Sequence, residues 1–489
     1  MIYPALHQLD FYKVGHPFQY PKGTEFVYSN MTARSNSRTN IPISGNREGI
    51  YFVGLQVFIV TQLVDNWDIT FFRQPKVEVL AAYKKRTGLK DVQHIEALHD
   101  LGYLPIRIKA LPEGSFVPYK VPFLTMVNTH KDFAWVTNML ESALSAELWP
   151  MINTATTTAE YLRVFYKYAK ATGGDERIVP YQPHNFSFRG CMGIEAAAKV
   201  GAAALLVGAK GTDSVSSLDL IENAYAVEDD DIGGSIPATE HSVMCAGGME
   251  SEEETFRRLI QGVYPSGPVS IVSDTWDFWN VVGVTLPKLK GIILAREGTV
   301  VIRPDSGDPV KIMCGDSSDT NPLAAKGLVE CLWEIFGGTV NAKGYKVLNP
   351  KIGAIYGDSI TLERQSEILA QLEAKGFAST NIVLGVGSYS YQYTTRDTHA
   401  LAIKATNVIV NGVSKPIFKD PVTDDGTKKS AKGLIMVSRS SEGYTFKDSC
   451  TPHQEARGCL KTVFEDGIVF SVTALPRVRE VALYNILKG

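Results

Sequence analysis

Short apolar runs rich in β-branched residues recur through the middle of the chain, at 269–272, 300–302 and 382–384, and each gives way to a polar signature. Such runs, bounded by turn residues, predict buried strands. The clearest unit spans 352–387. IGAIYGD reads as a strand, 366–375 as a helix with Ile368, Leu369 and Leu372 on one face, Gly376 as its stop, and NIVLGVG as the next strand. Helices are also predicted over 158–172, closed by Gly173 and Gly174, and over 194–207, whose alanine-rich face suits packing on a sheet. Toward both ends the pattern changes. PIRIKALPEGSFVP, TMVNTH, VIVNGV, GLIMVS and DGIVFSV are short strands broken by turns. The expected organisation is a discontinuous β-rich domain made of 1–148 and 398–489, with an α/β barrel over 149–397 as the catalytic domain.

The polar signatures form a ladder: FSFRG, KGTD, IPATEHS, VSDTWD, IRPDSGDP, IYGDS and LGVGS. From Asp213 through His241, Asp277, Asp305 and Asp358 to Gly387 the steps are 28, 36, 28, 53 and 29 residues. A strand with its crossover helix needs roughly 30 residues. Polar groups at that period fit the carboxyl ends of consecutive barrel strands, where the following loops build one active site. The pattern predicts an enzyme.

Composition narrows the alternatives. A chain of 489 residues that is 44% hydrophobic and 21% charged can bury a large core and form more than one domain. Its net charge of −3 argues against nucleic acid as the main partner, so an anionic ligand has to be met by local arginines and lysines. The six cysteines form no CxxC pair, which favours a reduced intracellular protein without structural zinc. The start, MIYPALHQLDFYK, lacks a charged segment followed by an apolar one, and the greasiest stretch, 50–64, is short and interrupted by Gly54, Gln56, Thr61 and Gln62. Neither secretion nor a membrane span is expected, and the cytoplasm is the expected location.

The chemistry of the ladder is specific only in combination. Gly385, Gly387 and Ser388 end a strand in NIVLGVGSYS, where backbone N–H groups can approach a phosphate closely, although a plain tight turn explains an isolated GxGS equally well. Arg396 and Lys404 follow with charge for a second anion, while Lys419, Lys428, Lys429 and Lys432 suit either that anion or a solvated loop. Asp277 and Asp305 stand just past apolar strands. Carboxylates there suit a ribose diol, a phosphate-bound Mg²⁺ or a developing positive charge, and equally suit helix and turn capping. Arg303 can pair with a carboxylate or stack on a ring. His241, in PATEHS, is by itself more often structural, and none of the other eight histidines is assigned a role. HExxH and GxSxG are both absent.

Taken in order, these strings resemble the nicotinamide phosphoribosyltransferases. The likeness runs from DFYKVGHPFQYP through FRG, KGTDSV, IPATEHS, VSDTWD, IRPDSG, GDS, GVGS, TRD and FKDP to KKSAKG, eleven strings over roughly 420 residues. The loop GVGSYSYQY resembles bacterial or phage forms more than the glycine-richer loops of other members. The resemblance implies a type II phosphoribosyltransferase fold: an irregular α/β barrel plus a mostly antiparallel β domain, assembled as a head-to-tail homodimer with shared active sites. It implies transfer of phosphoribosyl from phosphoribosyl diphosphate to nicotinamide, giving nicotinamide mononucleotide and diphosphate, with Mg²⁺ required and ATP as a coupled co-substrate.

Carried onto this chain, Phe186 and the second subunit's copy of Tyr12 would sandwich the pyridine ring, with Arg189 and Asp213 on its carboxamide. His241 would be the phosphorylated histidine. Arg303 and Asp305 would lie near ring and ribose, Asp277 and Asp358 on the ribose or metal side, and Ala238 and Ser273 along the substrate. A Mg²⁺ site is expected near Asp277, Asp305 and Asp358. Gly357, Gly387 and Ser388 would hold the 5′-phosphate, and Arg34, Arg396, Lys404, Lys419 and Lys428 the diphosphate. Asp10, Tyr12 and Arg34 would reach the neighbouring subunit's site. The competing readings are a nicotinate phosphoribosyltransferase, which Asp213 would oppose by repelling an acid, and a non-catalytic ligand-binding or signalling protein on the same scaffold.

Overall fold

The computed structural model describes residues 3–39, 41, 48–227, 232–357, 359–420, 423 and 429–488. Asp358 and Lys428 lie outside the described residues. The chain forms two compact units: Met1–Thr156 with Asp219–Asp231 and Thr394–Gly489, and Thr157–Leu218 with Ile232–Tyr393. Both ends of the chain thus contribute to one unit, and 219–231 joins them, an excursion that strand and helix patterns in the sequence did not mark.

The first unit is built on a seven-stranded antiparallel sheet, in the order Val413–Pro416, Ala402–Val410, Thr24–Thr32, Pro122–Asn128, Ile106–Ala110, Lys461–Glu465 and Ile468–Val469. Ile106–Ala110 alternates buried and half-buried positions, as expected of a strand with one face in the core. Helices Lys76–Thr87 and Gln93–Leu101 also belong here. Their apolar positions Tyr83, Ile95 and Leu98 join the same core as Ile106, Ile108 and Phe123.

The second unit is a closed parallel barrel. Its five full strands are Pro183–Asn185, Val269–Val272, Val300–Arg303, Ile352–Tyr356 and Ile382–Val386. Bridges Asn185↔Thr212, Gly211↔Gly234 and Ala238↔Ser270 complete the ring through two further staves, 211–212 and 234–238. The seven staves follow one another around the barrel in chain order. The barrel is irregular because two staves are held by isolated bridges, and because among the described residues it has seven staves instead of the usual eight. Val269–Val272 is buried at all four positions, which explains why such strands read as continuous apolar runs. Helices Ile194–Leu206 and Leu362–Ala374 stand close to the sequence expectation. The helical run 278–295 is apolar and long enough to cross a membrane by composition, but Val281, Val282, Leu286, Leu289 and Ile293 are fully buried, as in a core helix.

Candidate active site

Every polar signature of the sequence falls at the carboxyl end of a barrel stave. FSFRG follows 183–185, Asp213 follows 211–212, and Thr239 to His241 follow 234–238. Ser273 and Asp274 follow Val269–Val272, Asp305 follows Val300–Arg303, Gly357 follows Ile352–Tyr356, and Gly387 and Ser388 follow Ile382–Val386. Parallel strands point their carboxyl ends the same way, so these residues share one rim.

Asp213 is held by two donors. His184 Nε2 lies 2.8 Å from its Oδ1, and Ser235 Oγ donates to the same oxygen at 2.6 Å. Burial disfavours its charge, but the bonds from His184 and Ser235, with the Arg303 guanidinium nearby, more than offset this and keep the carboxyl below its ordinary value. Burial pulls Arg303 the opposite way, below the usual guanidinium value, against the attraction of Asp305, Asp213 and Asp274, and the positive charge of Arg189 adds to the lowering. Those four residues therefore gather around Arg303, which also donates to the Thr239 carbonyl. Phe186 packs on the His184 ring at 4.6 Å between centroids. A Cβ at Gly385 would lie 2.5 Å from the Phe186 ring, so the glycine is needed where that ring sits against the strand.

A second group is centred on Asp274, whose side chain is only 4% exposed. It accepts from Asp305 N–H at 2.8 Å and Ser306 Oγ at 2.6 Å, and contacts His241 Nε2 at 3.1 Å. Burial raises its pKa, and these partners reverse the shift, leaving it ionised. Because a carboxylate only accepts, His241 donates from Nε2, and in the neutral imidazole Nδ1 then carries the lone pair. A Cβ at Gly357 would stand 2.7 Å from Asp305 Oδ1. At Gly190, in the FRG turn, a Cβ would stand 1.9 Å from Ser388 Oγ, so that turn lies directly on the start of the helix Ser388–Gln392. Backbone N–H groups in a first helical turn have no intrahelical acceptor and suit an anion.

Asp277 has a local partner. It caps the helix Phe278–Asn280, accepting from Asn280 N–H at 3.0 Å, and is exposed. Its charge bears on Glu252, whose carboxyl burial raises to about 7, with Asp277 adding to the rise. The acid that reaches Asp305 and His241 is Asp274, three residues earlier in SDTWD. Among the described residues no three carboxylate, histidine or cysteine side chains cluster to hold a metal. Ser273 is buried and donates to the Ile271 carbonyl, and Ala238 contributes its backbone bridge to Ser270.

The first unit holds its own cluster. Lys404 is half-buried, and its pKa is lowered by burial first, then by the positive charges of Arg34, Lys419 and Arg396, with Glu141 opposing. Three of the five expected diphosphate cations thus act on a fourth, Lys404, and like charges held together in a fold suit an anion. Arg34 Nε donates to the Ala400 carbonyl, and Arg396 contacts Asp397 at 3.0 Å. Lys429 pairs with Asp420 and Lys432 lies over the Phe418 ring. Tyr12 contacts Asp10 at 3.4 Å, and that segment is fastened by Lys13 to Glu141 at 2.7 Å and by Ser142 to Asp10 at 2.5 Å. The Tyr12 ring remains 65% exposed.

Residues 181–468 match the family model of the nicotinate phosphoribosyltransferase (NAPRTase) family. A nicotinamide phosphoribosyltransferase of Acinetobacter baylyi is 52% identical over 488 residues, covering 97% of this chain and 96% of its own length. One from Mycoplasma pneumoniae is 33% identical, covering 87% and 93%. Among solved structures, the nicotinate-nucleotide pyrophosphorylase of Pyrococcus furiosus matches with a TM-score of 0.60 at 16% identity, over 99% of this chain and 96% of its own. At that identity the last likeness speaks for the fold.

Proposed function

Because the chain belongs to the nicotinate phosphoribosyltransferase family, we propose that it works as that family's enzyme for the amide. It transfers phosphoribosyl from 5-phosphoribosyl 1-diphosphate to nicotinamide, releasing diphosphate and forming nicotinamide mononucleotide, a salvage step toward NAD. The observation that carries the amide reading is Asp213: an ionised acceptor at the barrel rim, bonded to His184, whose ring packs on Phe186, and subject to the Arg303 charge. It can accept from a carboxamide N–H₂ and repels a carboxylate. Nicotinate, for which the family is named, is the alternative acceptor, and Arg189 is the residue that would favour it.

The chemistry follows from weak nucleophilicity. Neutral nicotinamide attacks C1 only as the bond to diphosphate breaks, so positive charge develops on the ribose. We assign Asp305 to stabilise it; its backbone bond to Asp274 supports this reading. Phe186 stacks the pyridine ring and orients its nitrogen. The start of the helix at Ser388, with Gly387 and Gly357, receives the 5′-phosphate. Arg34, Arg396, Lys404 and Lys419 match the charge of the diphosphate, with Lys428 expected alongside. Asp277, Asp305 and Asp358 are the carboxylates that would hold a Mg²⁺ ion, which would neutralise leaving-group charge.

ATP coupling runs through His241. With Nε2–H given to Asp274, Nδ1 is the nitrogen that attacks the γ-phosphorus of ATP as the bond to the β-phosphate oxygen breaks and ADP leaves, and Asp274 balances the positive charge on the ring. The working form is a cytoplasmic homodimer in which Tyr12 closes on a second copy's ring site. The exposure of Phe11 and Tyr12, 68% and 65%, supports this, since two aromatic rings left in water are an interface in search of a partner. The test is incubation with nicotinamide, phosphoribosyl diphosphate and Mg²⁺. Nicotinamide mononucleotide and diphosphate should appear in equal amounts, and a chain that releases neither would be a binding protein on this scaffold.

A further inference from the structure

The carboxylate proposed to read the amide does not stand alone. His184 is buried in the stave Pro183–Asn185, two residues before Phe186, so the two side chains share a strand face. Its neighbours in the barrel wall are 211–212, which carries Asp213, and then 234–238, which carries Ser235. Gly211 leaves room for the imidazole: a Cβ there would meet Nδ1 at 2.6 Å. Three adjacent staves therefore fix the relation among His184, Asp213 and Ser235.

Both donors go to one oxygen. His184 Nε2, at 2.8 Å, and Ser235 Oγ, at 2.6 Å, meet Asp213 Oδ1, and among the described residues no hydrogen bond reaches Oδ2. A carboxylate with one oxygen doubly bound cannot rotate without breaking both bonds. Its second oxygen keeps lone pairs for a donor. We infer that His184, with Ser235, is the positioning residue that presents Asp213 Oδ2 to the substrate and so sets the preference for a carboxamide over a carboxylate. This rests on the reading of Asp213 as the amide acceptor.

Position matters because specificity needs the repulsive arrangement as much as the attractive one. An untethered Asp213 would turn toward the Arg303 guanidinium, whose charge it already feels. Turned away, it would accept less well from nicotinamide and repel nicotinate less. His184 also backs the Phe186 ring, so loss of the whole imidazole disturbs stacking as well. A side chain that keeps a donor but not the ring separates the two effects.

The experiment measures kcat and KM for nicotinamide and for nicotinate in the wild type, His184→Leu, His184→Gln, Ser235→Ala, Asp213→Asn and the double variant His184→Leu/Asp213→Asn. Hydrogen bonds to a charged group imply that His184→Leu narrows the nicotinamide-to-nicotinate ratio of kcat/KM about 10- to 100-fold. The change should lie mainly in KM for nicotinamide, with KM for phosphoribosyl diphosphate nearly constant. His184→Gln, whose amide N–H can reach the same oxygen, should recover part of the ratio. In the Asp213→Asn background His184→Leu should add little. A wild type that prefers nicotinamide, with the ratio unchanged in His184→Leu, overturns the inference. If His184→Leu does not fold, Ser235→Ala must narrow the ratio by itself, and an unchanged ratio there overturns it equally. A wild type without preference instead removes the reading of Asp213, an outcome distinct from either.

Discussion

Replacing Asp274 by asparagine separates two jobs that its carboxylate performs. One face receives the Asp305 N–H and the Ser306 hydroxyl at 2.8 and 2.6 Å, and the other receives His241 Nε2 at 3.1 Å. Asparagine keeps one acceptor oxygen. Turned toward Asp305 and Ser306 it preserves the loop, which puts its N–H₂ against His241. The imidazole then accepts at Nε2 and carries its proton on Nδ1, so the proposed nucleophilic lone pair is lost. A hydrogen bond to an ionised group contributes about 1.5–3 kcal/mol, and with His241 45% exposed the lower half of that range applies. Together with the wrong tautomer, ATP-stimulated turnover should fall roughly 10- to 100-fold, while the reaction without ATP stays within about threefold. The assay is nicotinamide mononucleotide formation with and without ATP, paired with acid-labile phosphate on the protein. If Asp274→Asn kept full ATP stimulation and full labelling, the pairing of Asp274 with His241 would have no part in phosphoryl transfer. Asp274→Ala, by contrast, leaves the Asp305 N–H without its acceptor and should lower stability by about 1–3 kcal/mol as well as activity.

Gly357→Ala would place a Cβ 2.7 Å from Asp305 Oδ1, the movable end of a side chain, so melting should shift little while kcat/KM falls roughly tenfold or more; an unchanged kcat/KM would show that Asp305 need not sit there. Glu252 holds its proton up to about pH 7 when folded, against 4.5 in the usual range. Its raised value means stability that is present below about 4.5 and lost as pH climbs through 7, up to about 3 kcal/mol. Glu252→Gln should therefore melt higher than wild type at pH 8 and show a smaller difference at pH 5, and parallel pH curves would refute this. Homodimers of Tyr12→Ala and of Arg189→Ala should each be nearly inactive, and co-expression should restore activity. No recovery, with heterodimers shown to form, would argue against shared sites.

The barrel was legible because parallel strands buried on both faces leave β-branched runs, and because each stave ends in the chemistry it presents. What failed has local causes. The helix predicted from 158 begins at Glu141, since Pro150 lies inside it where a proline ordinarily marks a boundary. The staves 211–212 and 234–238 are too short to leave an apolar run. In SDTWD the period identified the loop but did not single out Asp274, which contacts Asp305 and His241. The signal was present: Asp277 stands directly before Phe278 and Trp279, an N-cap position, which leaves Asp274 for the rim. His184 carried no motif at all. Its role comes from an alignment of three staves that only the closed barrel produces, and a lone histidine between Pro183 and Asn185 reads as structural.

The central claim is that this barrel selects an amide. The direct test is the wild-type kcat/KM for nicotinamide and for nicotinic acid, each with phosphoribosyl diphosphate and Mg²⁺, in the presence and absence of ATP. An ionised Asp213 predicts a preference for nicotinamide that reaches up to roughly 10⁴-fold, kept under both conditions. Equal use of the two acceptors, or preference for the acid, would contradict it.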